Sequence, residues 1–250
     1  MNEQKPRLVV WFSCGDASAV TVKLIQAKYA DTHDIVIARC VLPEEHEDND
    51  RFAADCEVWF GQKVRNLHSV EYPSCQAVWE RKRFMSGIGG APCTVEMKKA
   101  VRWAFEREWQ PDLQAFGYTS DEGKRADRFR EQNPEVKLLT PLIDAGMTKA
   151  DCHRMVEAAG IIIPAMYRLG FNNNNCIGCV KATSPVYWNR VRREFPEVFE
   201  ARARLSREIG CRLVRVKGVR IFLDELDPKA GRGVEPAIDC SLACSDIFRF

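Results

Sequence analysis

Short apolar runs alternate with amphipathic stretches through the first two thirds of the chain. Arg7–Ser13 (Arg-Leu-Val-Val-Trp-Phe-Ser) is almost wholly apolar, β-branched and aromatic, the pattern of a strand buried on both faces. Ala19–Tyr29 follows with Val20, Leu24 and Ala27 on one helical face. The alternation then recurs. Strands are predicted at Asp34–Leu42, Leu67–Tyr72, Leu113–Tyr118 and Val136–Leu142. Helices are predicted at Asp48–Gly61, Cys75–Phe84, Thr94–Trp109 and near Asp121–Gln132, with a further one opening at Thr148, where Asp151 is a capping partner. Strands that alternate with helices imply an α/β fold, a doubly wound, mainly parallel five-stranded sheet. Ligands of such sheets sit beyond the carboxyl ends of the strands, so the turns at 13–18, 43–47 and 117–123 are expected to converge on one crevice.

After residue 160 the pattern changes, and the chain divides into an α/β domain (1–160) and a C-terminal helical and hairpin extension (161–250). Pro185–Ile209 reads as one or two helices, Arg212–Leu223 as a hairpin around Lys217-Gly218, and Asp227–Pro236 as a Gly/Pro loop. With 46% hydrophobic and 29% charged residues, the composition is that of a soluble globular protein. A net charge of +2 provides no global field for nucleic acid or membrane. Locally, Tyr187, Trp188, Arg190, Arg192 and Arg193 interleave aromatic and basic residues, which raises a nucleic-acid acceptor. Such a stripe is first of all packing plus a solvated face. No stretch is apolar enough to span a bilayer and no signal pattern opens the chain, so a cytoplasmic, reducing setting is expected. There, eleven cysteines point to ligands or catalytic thiols rather than disulfides.

Five of those cysteines carry the chemistry. Cys176-Ile177-Gly178-Cys179 follows four consecutive asparagines, Cys240-Ser241-Leu242-Ala243-Cys244 lies near the C-terminus, and Cys93 sits in Gly90-Ala91-Pro92-Cys93-Thr94. Two thiolates two residues apart in a tight turn aim both sulfurs at one metal centre, which distant cysteines complete. Cys93, Cys176 and Cys179 make three, and Cys240 or Cys244 supplies a fourth. Zinc and an iron–sulfur cluster both suit four thiolates. Cys40, Cys56, Cys75, Cys152 and Cys211 have no cysteine close in sequence and read as buried free thiols. The small-residue turn Ser13–Ser18 leaves backbone N–H groups at a helix start, where phosphate binds. It matches neither common glycine-rich nucleotide pattern, and on spacing alone a tight strand–helix corner explains it equally well.

Trp11-Phe12-Ser13-Cys14-Gly15-Asp16-Ala17-Ser18-Ala19-Val20 resembles the PP-loop, Ser-Gly-Gly-x-Asp-Ser, of the adenine nucleotide α-hydrolase-like enzymes, and more narrowly that of the phosphoadenosine phosphosulfate (PAPS) reductase family. Gly90–Lys99 resembles the Cys…Lys segment of the cluster-bearing members. Gly117–Glu122 with Arg125 and Arg128 is similar to their Gly…Glu…Arg loop. Asp239-Cys240-Ser241-Leu242 is similar to a degenerate form of their C-terminal Glu-Cys-Gly-Leu-His. The chain departs from the pattern at four places. Cys14 replaces the second loop glycine. Ala17 stands where the loop acid is expected, with Asp16 one place earlier. Thr94 follows Cys93 where a second cysteine is usual. Ser241 and Ala243 replace Gly and His, with Cys244 added. These departures resemble a divergent subgroup, comparable to DNA-phosphorothioation or phage-borne relatives.

The resemblance implies a fold of the adenine nucleotide α-hydrolase type with a cysteine-bearing C-terminal extension. It implies an adenine nucleotide (ATP, PAPS or adenylyl sulfate) at Ser13, Cys14, Gly15, Asp16 and Ser18, with Glu122, Arg125 and Arg128. It also implies a 4Fe-4S cluster on Cys93, Cys176, Cys179 and Cys244, with zinc as the alternative, and Cys240 as the catalytic thiol. Lys98 or Lys99 would balance cluster charge, and a sulfur donor or redox partner protein would serve the site. Three functions follow: a cluster enzyme that moves sulfur or adenylates an acceptor, a thiol-dependent reductase of adenylyl sulfate or PAPS, and a non-catalytic nucleotide-binding or zinc-stapled protein.

Overall fold

A computed structural model describes residues 5–236 and 238. Five parallel strands form the main sheet in the order β3-β2-β1-β4-β5: β1 (Arg7–Trp11), β2 (Asp34–Cys40), β3 (Val64–Leu67), β4 (Leu113–Ala115) and β5 (Leu138–Leu139). The doubly wound α/β expectation therefore holds. Alternate residues of β1 and its continuation serve opposite faces, as the two-residue period requires. Leu8, Val10 and Phe12 join the core shared with α1 (Asp16–Tyr29) and α2 (Asp48–Phe60), where Phe12 meets Phe52 and Phe60 at ring separations of 6.2 and 5.7 Å. Trp11 points the other way. It meets Phe105 of α5 (Ala100–Trp109) edge-on at 5.6 Å and donates its indole N–H to Gln114 Oε1 at 2.8 Å. Phe116 and Phe129 of α6 (Gly123–Gln132) extend that second layer.

β1, β2 and β4 begin where predicted and end two or three residues early, while β3 and β5 depart further. β3 starts three residues early because Glu57 Oε1 accepts the Val64 N–H at 2.9 Å and sets the strand going against Ile37–Cys40. β5 is only two residues long because Pro141, which lacks an N–H, opens α7 (Pro141–Asp144). The helix expected at Thr94–Trp109 is divided. A short α4 (Pro92–Thr94) leads into a π-helical segment, Val95–Lys99, before α5. At Thr148 the predicted capping box with Asp151 opens α8 (Lys149–Ala158).

Contacts along the chain define two units. The first comprises residues 1–41, 47–68 and 101–164, and the second 42–46, 69–100 and 165–250. Residues 42–46 and 69–100, assigned by sequence to the first domain, thus cluster with the C-terminal part. The second unit contains α3 (Cys75–Lys82), α4, α9 (Ala165–Arg168), α10 (Pro185–Glu194) and α11 (Pro196–Ile209). It also holds a hairpin of β6 (Val214–Val216) and β7 (Val219–Ile221), whose turn residues Lys217 and Gly218 both take the left-handed conformation that a two-residue turn requires. The aromatic and basic stripe at 187–193 is used internally. Tyr187 and Trp188 are buried, Arg190 pairs with Glu235, and Arg192 donates to the Leu226 carbonyl at 2.9 Å. No helix among the described residues is long and apolar enough to cross a membrane.

Candidate functional site

Two sites are built from the predicted motifs, one in each unit. In the first unit the sheet reverses direction between β1 and β4: later strands add to one side up to β3, and then β4 returns to the other side of β1. Such a reversal opens a crevice beyond the strands' carboxyl ends. The loop after β1 and the loop after β4 border it. They meet so closely that a Cβ on Gly117 would lie 2.9 Å from the Ser18 backbone nitrogen and 3.0 Å from Ala17 C and Ser18 Cα.

The 13–18 loop is held by its own serines. The Ser18 hydroxyl donates to the Gly15 carbonyl at 2.7 Å and accepts the Ser13 N–H at 3.0 Å, with the Ser13 hydroxyl 3.2 Å away. Gly15 caps α1 without a side-chain hydrogen bond, and the first helical amide to reach a backbone acceptor is that of Ala19. The amides of the first turn therefore stay available to an anion, reinforced by the positive end of the helix dipole. Cys14 takes the left-handed conformation (φ 55°) at the place where the PP-loop pattern it resembles has glycine. Its side chain is buried and its thiol lies 3.7 Å from the Asn49 carbonyl. Such a conformation costs a non-glycine residue about 1 kcal/mol or more, set against the packing of the thiol.

Asp16 does not face solvent. It is fully buried and its carboxylate bonds His153 Nδ1 on α8, which fastens the first turn of α1 to a helix far along the chain. Replacing His153 by alanine would strand a buried carboxylate. It is expected to destabilise the fold by about 3 kcal/mol, read from urea unfolding. On the facing loop, Glu122 accepts the Thr119 N–H at 3.0 Å and pairs with Arg125, whose guanidinium lies 5.5 Å from the Tyr118 ring centre. Arg128 is exposed on α6.

In the second unit four cysteines line one cavity: Cys75, Cys93, Cys176 and Cys179. All four are buried. Cys75 is the first residue of α3, whose N-cap Ser74 accepts the Ala77 N–H at 3.0 Å. Cys93 follows Pro92 in α4. The Cys176–Cys179 turn needs Gly178, which has a φ of 67° and packs closely enough that a Cβ would meet Val198 Cγ1 at 3.0 Å. Tyr187 holds this turn: its hydroxyl accepts the Cys179 N–H at 2.7 Å and lies 3.4 Å from the Cys176 carbonyl. Outside the turn, the Ile177 N–H donates to the Glu44 carbonyl at 2.8 Å.

The crowding has an electrostatic signature. Hydrogen bonds with the Cys176 and Cys93 sulfurs, then burial, hold the Cys75 thiol well above its usual range. Thiols packed this way resist ionising together, and a bound cationic centre reverses that preference. Lys98, brought to the cavity by the π-helical segment, is buried with its Nζ 3.8 Å from Glu45. Among the described residues, no three His, Cys, Asp or Glu side chains stand close enough together to hold a single metal ion. The four sulfurs border a cavity instead, and as a donor set they fit thiolate ligation of an iron–sulfur cluster.

Cys75 is the residue whose place the sequence did not indicate: it was expected to be an isolated core thiol, and it is buried among three other cysteines. Of the remaining isolated cysteines, Cys40, Cys56 and Cys152 are buried, while Cys211 is only partly so. Burial pushes the Cys152 thiol up to about 12 and the Cys56 thiol higher still. Cys240 and Cys244 lie outside the described residues.

No family model matches the chain. No curated protein matches it in sequence. Among solved structures it is similar to the phosphoadenylyl-sulfate (PAPS) reductase from Candida auris in a phosphate complex, with a TM-score of 0.51, 9% identity, and 68% of this chain and 81% of that chain covered. It is also similar to the U34-tRNA thiolase NcsA from Methanococcus maripaludis with its 4Fe-4S cluster, with a TM-score of 0.48, 12% identity, and 99% and 84% covered. The first likeness shows the fold: a doubly wound α/β architecture of the PAPS reductase type.

Proposed function

We propose that the chain is a PAPS-reductase-like enzyme that binds an adenine nucleotide at the 13–18 loop and uses a 4Fe-4S cluster in sulfur transfer or in adenylation of an acceptor. The observation that carries this reading is the gathering of four buried cysteines, from three separate stretches of chain, around one cavity. In this reading Cys75, Cys93, Cys176 and Cys179 hold the cluster, and Cys75 takes the place for which Cys244 was expected. Bound there, the cluster would supply one-electron chemistry in a water-excluded site. Buried Lys98 offsets part of its negative charge. The free amides of the first turn of α1 and the Ser13 hydroxyl receive the nucleotide's phosphate or sulfate oxygens. Arg125 and Arg128 of α6 add cationic charge beside the facing loop, with Arg125 oriented by Glu122. That the Candida auris reductase was solved as a phosphate complex agrees with an anion site on this fold. A reducing cytoplasm, with a sulfur donor or redox partner protein, suits a centre held by reduced thiols.

The gathering of Cys75 with the other three favours one second reading. If the ligand set is complete without the C-terminal pair, Cys240 is free to act as the thiol of an adenylyl sulfate or PAPS reductase. The test begins with anaerobic purification and analysis of metal and sulfide. About four irons and four sulfides per chain are expected. Pyrophosphate release from ATP without sulfite release supports the first reading. Sulfite released from PAPS or adenylyl sulfate with a dithiol reductant, and lost in Cys240→Ser, supports the second. Stoichiometric zinc with neither product overturns both and leaves a zinc-stapled nucleotide-binding protein.

A further inference from the structure

The cysteine-lined cavity has one aromatic wall, Trp79 on α3, one turn beyond Cys75. Trp79 is 2% exposed, and its indole N–H is buried without an acceptor among the described residues. A buried donor left unpaired costs about 1–3 kcal/mol, and native proteins seldom leave one. The ring itself has a partner. The Arg202 guanidinium of α11 lies 4.5 Å from the ring centre and donates to Gln76 Oε1 at 3.3 Å. Arg202 is itself buried and lines an open cleft with Gln76, Ala77 and Ile177, residues that neighbour the cavity cysteines in sequence. The indole N–H is the part of this wall residue that no group among the described residues satisfies.

Resting on the cluster reading above, we propose that Trp79 donates its indole N–H to a sulfur of the bound centre and raises its reduction potential. Reduction adds negative charge to the cluster, and a hydrogen bond to sulfur stabilises that charge. The Arg202 cation on the ring face acts in the same direction, because a buried cation favours the more negative state and draws electron density from the indole. Lys98 differs from both, since Glu45, 3.8 Å from its Nζ, takes up part of its charge and leaves only the remainder for the cluster.

The test is an anaerobic redox titration of the parent protein and Trp79→Phe, followed by electron paramagnetic resonance. The phenyl ring keeps an aromatic surface for Arg202 but has no donor. Iron and sulfide content should be unchanged, while the reduced-to-oxidised ratio at a fixed potential should fall about tenfold, equivalent to about 59 mV for a one-electron couple. An unchanged potential with a full cluster overturns the role of Trp79 and leaves the cluster reading intact. Absence of iron and sulfide from the parent overturns the cluster reading and this inference with it. Because the substitution also trims a buried wall, a second measurement uses the intact protein carrying 15N-indole tryptophan. A hyperfine coupling between the reduced cluster and one indole nitrogen is expected, and its absence overturns the proposal.

Discussion

Cys75→Ser is expected to strip the iron–sulfur centre as completely as Cys176→Ser or Cys179→Ser, whereas Cys244→Ser should retain it. The argument is one of geometry and charge. Cys75 lines the same cavity as Cys93, Cys176 and Cys179, and its thiol interacts directly with two of them. A serine hydroxyl stays protonated at neutral pH, so the substitution removes a soft anionic donor and leaves a polar group buried in its place. Iron should fall from about four per chain to below about one. Because Cys75, Cys93, Cys176 and Cys179 come from α3, α4 and the 176–179 turn, loss of a centre held by them should also lower the unfolding temperature of the second unit, as metal removal does where binding is coupled to folding. Iron and sulfide analysis with anaerobic thermal scans reads both effects. Full cluster in Cys75→Ser, together with loss in Cys244→Ser, would move the fourth ligand to the C-terminal tail.

What is legible in the sequence follows the range of each interaction. β1 and β2 announced themselves because a strand buried on both faces leaves an unbroken apolar run, and the helix start at Thr148 because its cap lies within one turn. The sequence starts β3 three residues late because its starting signal is a hydrogen bond from the Val64 N–H to Glu57, seven positions upstream, rather than a change in hydrophobicity. The Cys176–Cys179 turn and the 13–18 loop stand out for the same reason as the caps: the atoms that form each are neighbours in sequence. Cys75 was not, since nothing around it separates a ligand from a core thiol until α3 and α4 are packed together. His153 meets Asp16 across 137 positions, and the orphaned Trp79 N–H exists only once the cavity does. The stripe of arginines and aromatics on α10 carried a signal that packing absorbed, with Tyr187 turned inward to brace the cysteine turn.

Gly117→Val should abolish adenine nucleotide binding while leaving iron content unaffected. Gly117 follows β4, where that strand's loop crosses the first turn of α1, and its approach leaves no room for a side chain. The three atoms that a Cβ would meet, at 2.9 to 3.0 Å, are all backbone atoms of Ala17 and Ser18. They cannot rotate away as a flexible side chain does, so the first turn must shift. That turn carries the amides offered to phosphate, and displacing them by a few tenths of an ångström spoils several hydrogen bonds to one anion at once. A loss of about a hundredfold in affinity, about 2.7 kcal/mol, is expected for Gly117→Val, with Gly117→Ala weaker in the same direction. Gly15→Asp tests the same anion site by charge instead of bulk, since it places a carboxylate at the N-cap where phosphate approaches. Equilibrium titration with ATP and PAPS measures all three variants, and circular dichroism confirms that the sheet persists. Parental affinity in both Gly117→Val and Gly15→Asp would show that the nucleotide, if bound at all, lies elsewhere than the crevice between the loops after β1 and β4.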